Sequence, residues 1–145
     1  MTMEQKPLLI VWNDSYNTGI SICDEQHRGI VSIINSLHFS QSMQTSAAFL
    51  RPIAEMIMGY TKIHFSIEIT LLEESEYPRL QEHQNQHDHL ITEVNRILAA
   101  CLHDGEDPKQ FLNFLKEWLL VHIAHEDKAY SAHLMEYLKN QHRRP

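Results

Sequence analysis

The sequence predicts an all-α fold: an antiparallel up-down-up-down four-helix bundle with an N-terminal arm and a short C-terminal helix. Three observations predict it. Apolar residues recur at spacings of three, four and seven along four successive segments, each time tracing one face of an amphipathic helix. The breaks between the segments are short and polar, which favours antiparallel neighbours. No stretch alternates apolar and polar residues with period two, so strand content should be near zero.

A chain of 145 residues, 43% of them hydrophobic, has the size and apolar content for one domain over residues 1–145. Residues 1–18 lack helical periodicity and carry Pro7, Asn13, Asp14 and Asn17, which reads as an extended arm pinned by Trp12 and Tyr16. Residues 20–138 form the bundle and the C-terminal helix. The first helix starts near Ile20, with Ile30, Val31, Ile34 and Leu37 following His27 on one face. The second stripe runs from Phe49 through Ile53, Ile57, His64, Phe65 and Glu68 to Leu72, with Thr45 or Ser46 as N-cap. Pro52 removes a backbone donor there, so that helix should start later or be kinked. Pro78 suits the first turn of a third helix, whose face is Leu80, His83, His87, Leu90, Val94 and Cys101. Gly105 ends it. Asp107 and Pro108 read as N-cap and first residue of a fourth helix, with Phe111, Leu112, Leu115, Trp118, Leu119 and His122 on its face. A short amphipathic tail from Tyr130 to Leu138 closes the chain.

The formal charge of -7 argues against nucleic acid, which needs a clustered Lys/Arg face. The apolar run Leu8–Trp12 is far too short to cross a bilayer, and no cleavage-site pattern follows it. A cytoplasmic monomer is expected, with no membrane partner. Cys23 and Cys101 form no C-x-x-C pair and are expected as buried, reduced thiols. Eleven histidines in a chain with few lysines and arginines are the compositional feature that points to chemistry.

Polar residues of ligand type stand on the core-facing stripe of every helix, where apolar ones are otherwise expected. His64 and Glu68 are four apart, as are His83 and His87, so each pair projects from one helix face. His27 and His122 occupy the remaining two stripes. A buried carboxylate costs several kcal/mol unless it is paired or bound to a metal, so a metal would satisfy the whole group. Imidazole with carboxylate suits iron, manganese, zinc or copper, and spacing does not choose among them. The run from His83 to His87 also invites comparison with the zinc-protease helix, but the position of that enzyme's general base is Gln84, which cannot accept a proton.

These residues resemble the hemerythrin family, bacterial branch, from Trp12 to Tyr130. The resemblance rests on Asp24-Glu25-Gln26-His27, on His64-Phe65-Ser66-Ile67-Glu68, on His83 with His87, and on the run from Trp118-Leu119 through His122-Ile123 to Asp127. It implies two iron ions bridged by Glu68, Asp127 and a solvent oxygen, with His83, His87 and His122 on one and His27 and His64 on the other. The second iron is then one ligand short, and that open position is where the family binds dioxygen. Helical geometry alone would pair His122 with Glu126, because a spacing of five turns the side chain about 140° around an α-helix. The resemblance instead selects Asp127 and leaves His125 and Glu126 on the surface.

The family often has a second Glu and a Met after the bridging Glu, where this chain has Ile69 and Leu71-Leu72. Neither is a ligand position, so the departure bears on the fine properties of the pocket. Ile30, Phe65, Trp118, Leu119 and Ile123 resemble the family's oxygen-pocket lining and read equally as core. His38, His89, His103, His133 and His142 lie off the motif and are expected at the surface. The expected function is reversible dioxygen binding for storage, delivery or scavenging, not catalysis. The alternatives are a redox enzyme acting on peroxide or nitric oxide, and an oxygen sensor that signals to a separate, unidentified protein partner.

Overall fold

Four helices close into a ring, and the pattern of buried residues explains each of them. The structure is a computed structural model that describes residues 7–43 and 46–142. Helix α1 (Ser21–Ser40) packs on α2 (Ser46–Glu74), α2 on α3 (Leu80–His103), α3 on α4 (Pro108–Val121), and α4 back on α1. The described residues contain no strand. None of the described helices is long and apolar enough to cross a membrane.

The expected C-terminal helix is present, and it continues the fourth. Helix α4 runs without a break through a six-residue π-helical segment (His122–Asp127) into α5 (Lys128–His142). Its N-terminus is capped as the residue types require: the Asp107 side chain accepts from the Lys109 N–H at 3.0 Å, and Pro108 fills the first helical position.

Pro52 neither delays nor ends α2; it lies inside the helix. It is exposed and close to the N-terminal end, so the one carbonyl it leaves unpaired, that of Ala48, can be satisfied by water. Thr45 lies outside the described residues, as does the Ser46 side chain, so the cap expected there is not described. Pro78 falls in the turn before α3 and not in its first helical turn, because α2 closes with a tight C-terminal motif. There the Tyr77 N–H donates to the Leu72 carbonyl at 2.9 Å and the Glu76 N–H to the Glu73 carbonyl at 3.0 Å, which places Glu76 in the left-handed region at φ 55°.

The arm is held by more than its aromatic residues. Trp12 and Tyr16 do meet, with ring centroids 5.4 Å apart, and the Arg28 guanidinium lies 5.4 Å over the Trp12 ring. The stronger attachment is Asn35, buried on α1: its Oδ1 accepts from the Leu9 and Ile10 N–H groups, both at 3.0 Å, and its Nδ2 donates to the Ile10 carbonyl at 2.9 Å. Asp24, also buried, takes the other end of the arm. Its Oδ1 accepts from the Thr18 N–H at 2.7 Å and the Thr18 hydroxyl at 2.8 Å, and its Oδ2 from the Gly19 N–H at 3.1 Å.

Two apolar clusters divide the interior. The larger includes Ile30, Ile34, Phe65, Phe111, Leu115 and Leu119; the smaller comprises Ile20, Cys23, Leu72, Tyr77, Tyr130 and Leu134. Each fully buried aliphatic side chain contributes about 1.5–3 kcal/mol. Along each of α1, α2 and the α4–α5 rod, the chain passes from one cluster to the other through a short polar stretch: His27, then His64 to Glu68, then His122 to Asp127. Those stretches form one polar layer across the bundle.

Candidate metal centre

The polar layer contains seven side chains: His27 on α1, His64 and Glu68 on α2, His83 and His87 on α3, and His122 and Asp127 on the π segment. All are at most 4% exposed, and both carboxylates are fully buried. The two pairs spaced by four lie on single helix faces, as α-helical geometry requires. The pair spaced by five is brought together by the π segment, whose i→i+5 hydrogen bonding widens the turn until residues five apart stack above one another. Glu126, the partner that a regular helix would have offered, is half-buried outside the cluster and accepts from Gln86 Nε2 at 2.7 Å. His125 and Gln84 are exposed.

Each carboxylate divides its two oxygens between two groups of imidazoles. Glu68 Oε1 is hydrogen-bonded to His83 Nε2 and lies 3.1 Å from His87 Nε2, while its Oε2 lies 3.2 Å from His64 Nε2 and 3.8 Å from His27 Nε2. Asp127 Oδ1 stands 2.9 Å from His122 Nε2 and 3.5 Å from His83 Nε2, while its Oδ2 is 2.8 Å from His27 Nε2. Donor atoms of Glu68, His83, His87, His122 and Asp127 lie within 4.8 Å of one another; those of His27, His64, Glu68 and Asp127 form a second such group. The two carboxylates are common to both.

These atoms are close but mostly not aligned as hydrogen bonds. The Nε2 atoms of His27, His64, His87 and His122 and both Asp127 oxygens are buried without a hydrogen-bond partner. Orphaned buried donors and acceptors are costly, and here they converge. Imidazole nitrogens and carboxylate oxygens are a donor set for a first-row transition metal, so the residues present fit a metal ion on each side.

Electrostatics sharpen the same conclusion. Burial works against the charge on Glu68, but the imidazoles of His27, His64, His83 and His87 outweigh it and hold the carboxyl well below the usual carboxylate range. Burial and the neighbouring Glu68 both oppose the Asp127 charge, and His122 and His27 still bring its carboxyl below the ordinary value. Burial disfavours charge on His27, yet the Asp127 and Glu68 carboxylates push it up to about 9. His122 is raised against burial by Asp127, whereas His87 is lowered by burial.

Further residues orient this set. Gln26 Oε1 accepts from His64 Nδ1 at 2.6 Å, which turns the Nε2 lone pair toward the carboxylates. The Tyr130 hydroxyl, fully buried, donates to Glu68 Oε2 at 3.0 Å. Burial and then Asp127 and Glu68 push that phenol well above its usual value. Sequence reasoning assigned neither role. Gln26 sits beside His27 in the first motif and Tyr130 three residues after Asp127, so their places were visible but their contacts were not.

The profile of the Hemerythrin HHE cation binding domain family matches residues 18–134. The chain belongs to the hemerythrin family. It is 36% identical over 136 residues to a bacteriohemerythrin of Stenotrophomonas maltophilia, covering 90% of this chain and 88% of that one. A bacteriohemerythrin of Pseudomonas aeruginosa is 37% identical over 122 residues, covering 83% and 78%. Among solved structures, a wild-type hemerythrin superposes with a TM-score of 0.77 at 25% identity, over 87% of this chain and 98% of that one. Hemerythrin-family domains bind iron and generally bind oxygen at a non-heme di-iron centre.

Ile30, Phe65, Trp118, Leu119 and Ile123 are all buried in the larger cluster. Phe65 stacks on His87 with centroids 3.6 Å apart, and the Trp118 and His122 ring centroids are 5.6 Å apart, so these two aromatics cover the three-histidine side. Ile69 and Leu71 pack in the smaller cluster with Leu72. His89, His103 and His142 are exposed. His133 is not a surface residue: it is half-buried, with Nε2 2.7 Å from the Ser75 carbonyl and its ring against Tyr77, because the α5 continuation packs on the end of α2. His38 is half-buried too, with Nε2 3.2 Å from the Pro7 carbonyl of the arm. Cys23 is buried, its thiol pushed up to about 12 by burial, but Cys101 is half-exposed beside the Asp107 carbonyl, at the end of the bundle.

Proposed function

We propose that the chain binds dioxygen reversibly at a centre of two iron ions, in an oxygen storage, delivery or scavenging role in the cytoplasm. The observation that carries the reading is the division of both carboxylates between an arm of three imidazoles and an arm of two. His83, His87 and His122 would hold one iron and His27 and His64 the other, with Glu68 and Asp127 shared between them. The pair of ferrous ions would supply the electrons that bound dioxygen takes up and returns. The unequal histidine count is what leaves room for a small ligand on the His27 and His64 side.

The chain's own groups support binding in preference to turnover. Five imidazoles and two carboxylates give the irons little negative charge, which disfavours high-valent oxidising states. Gln26 fixes the His64 ring, and Tyr130 donates to the Glu68 oxygen on the same side. The apolar wall formed by Ile30, Phe65, Trp118, Leu119 and Ile123 keeps water out of the layer, which slows loss of reduced oxygen from the site.

The test is anaerobic iron loading with metal quantitation, followed by visible spectra before oxygen, under oxygen and after purging. Two irons per chain and a band that appears with oxygen and fades on purging are expected. Irreversible oxidation, or sustained turnover of peroxide or nitric oxide with a reductant, would replace the carrier with a redox enzyme or sensor. Uptake of zinc alone would remove the reading altogether.

A further inference from the structure

Glu126 is the carboxylate that a regular helix would send into the polar layer, and this chain holds it outside. It is half-buried, and it accepts from Gln86 Nε2 at 2.7 Å. That hydrogen bond crosses from α3 to the π segment, and each of its ends is the chain neighbour of a buried site residue. Gln86 precedes His87, and Glu126 precedes Asp127. Arg79 lines the same small pocket as Gln86 and Glu126, but its guanidinium is engaged by Glu82 at 2.7 Å. The amide of Gln86 therefore provides the side-chain hydrogen bond that Glu126 has.

The amide makes that bond at a cost. While Nε2 donates to Glu126, Gln86 Oε1 is buried without a hydrogen-bond partner. A buried acceptor left unpaired is destabilising. Turning the amide over would set Oε1 against the Glu126 carboxylate, acceptor against acceptor, so the carboxylate fixes the orientation. A strained polar contact kept beside two site residues calls for a role in the site.

The role follows from helical register. After Val121 two registers compete: an α turn places Glu126 beside His122, and a π turn places Asp127 there. A π turn is rare and needs support from outside the helix. A charge-assisted hydrogen bond to Glu126 stabilises the π register alone, because in the α register that carboxylate would point into the layer and away from Gln86. We propose that Gln86 and Glu126 are positioning residues whose hydrogen bond holds His122–Asp127 in its π register, keeps Glu126 out of the layer and so assigns the shared carboxylate to Asp127. The inference rests on the metal reading above and adds what selects between its two candidate carboxylates. Neither side chain is a donor to the layer. Their effect passes through Asp127, which serves both sides, so both ions should weaken together.

Ferrous ion titrated anaerobically into the full chain against a competing chelator tests this, together with amide exchange of the metal-stripped chain. Gln86→Glu sets two carboxylates against each other. It should weaken binding of both ions about 10–100-fold, with faster exchange across residues 122–127 and unchanged helix content. Glu126→Gln keeps an amide-to-amide hydrogen bond and should cost less. The two substitutions together rebuild the bond with donor and acceptor exchanged, and should restore both affinity and exchange, which a general loss of packing would not allow. A Gln86→Glu variant that binds like the wild type, or a double variant no better than that single one, overturns the clamp and leaves the metal centre standing. A wild-type chain that takes up no ferrous ion removes the centre itself, and the clamp with it.

Discussion

Glu68 is sealed from water, and its charge persists because imidazoles surround both of its oxygens and a phenol donates to one of them. Tyr130→Phe keeps the volume of the ring and removes that donor alone. Leaving a buried carboxylate short of one hydrogen bond costs about 1–2 kcal/mol, so the unfolding free energy of the metal-stripped variant should fall by that amount, lowering its urea midpoint by roughly 0.5–1 M with its helix content intact. An unchanged midpoint would mean that the phenol is packing, not bonding. Asn35 offers a second test of a single side chain. Its three hydrogen bonds satisfy arm backbone groups that would otherwise be unpaired, so Asn35→Ala should cost about 2–4 kcal/mol and speed amide exchange at Leu9 and Ile10. At this scale the sequence was legible where chemistry repeats with helical spacing, as with His64 and Glu68 or His83 and His87. It was not legible for Asn35, Asp24 or Gln26, because their partners are backbone groups of the arm or a ring on another helix, and no spacing within one element encodes such contacts.

At the scale of an element, the segment His122–Asp127 explains why helical geometry and family resemblance pointed to different carboxylates. A regular helix puts Glu126 beside His122; the π turn absorbs one extra residue and puts Asp127 there instead. No composition signal distinguishes a π turn from an α turn, which is why periodicity alone favoured Glu126 and did not show that α5, expected as a C-terminal helix, continues α4. The extra residue behaves as an insertion, and that can be tested by length. Deleting exposed His125 should restore a regular helix with His122 and Asp127 four apart, preserving the register of Tyr130 and Leu134 and the metal content. Inserting one alanine after Ala124 widens the spacing to six, turns Asp127 away from the layer, and should abolish metal binding on both sides, since that carboxylate serves both. Equal metal content in the two variants would show that the π turn has no part in placing Asp127. The helices themselves were readable from their stripes, and the misplaced boundaries at Pro52 and Pro78 came from treating proline as a boundary mark where an exposed early turn or a preceding C-terminal motif accommodates it.

For the whole molecule, the polar layer makes the stability of the metal-stripped protein depend on pH, and a metal held in the layer would oppose that dependence. In the metal-stripped protein, the depressed Glu68 and Asp127 carboxyls contribute stability above their unfolded values, and it is lost as pH falls through the folded ones. His27 and His122 are raised, so their contribution is fully present below about pH 6.5 and is lost as pH rises, for His27 through about 9. His87 is lowered and opposes them below that range. From neutrality upward the native state therefore binds more protons than the unfolded chain, and stability declines. His27 alone accounts for about 3 kcal/mol across its shift, which for a domain of this size is a fall in Tm of roughly 10 °C between pH 6 and pH 9.5. A metal held by His27 would reverse the slope, because it would need that imidazole deprotonated and compete with the same proton. The loaded protein should gain stability from pH 6 toward pH 8 and release about one proton per chain or more on loading. Calorimetric scans of stripped and loaded protein over that range should therefore diverge as pH rises. Parallel curves would mean that His27 and the metal do not share a site, and would remove the α1 histidine from the centre.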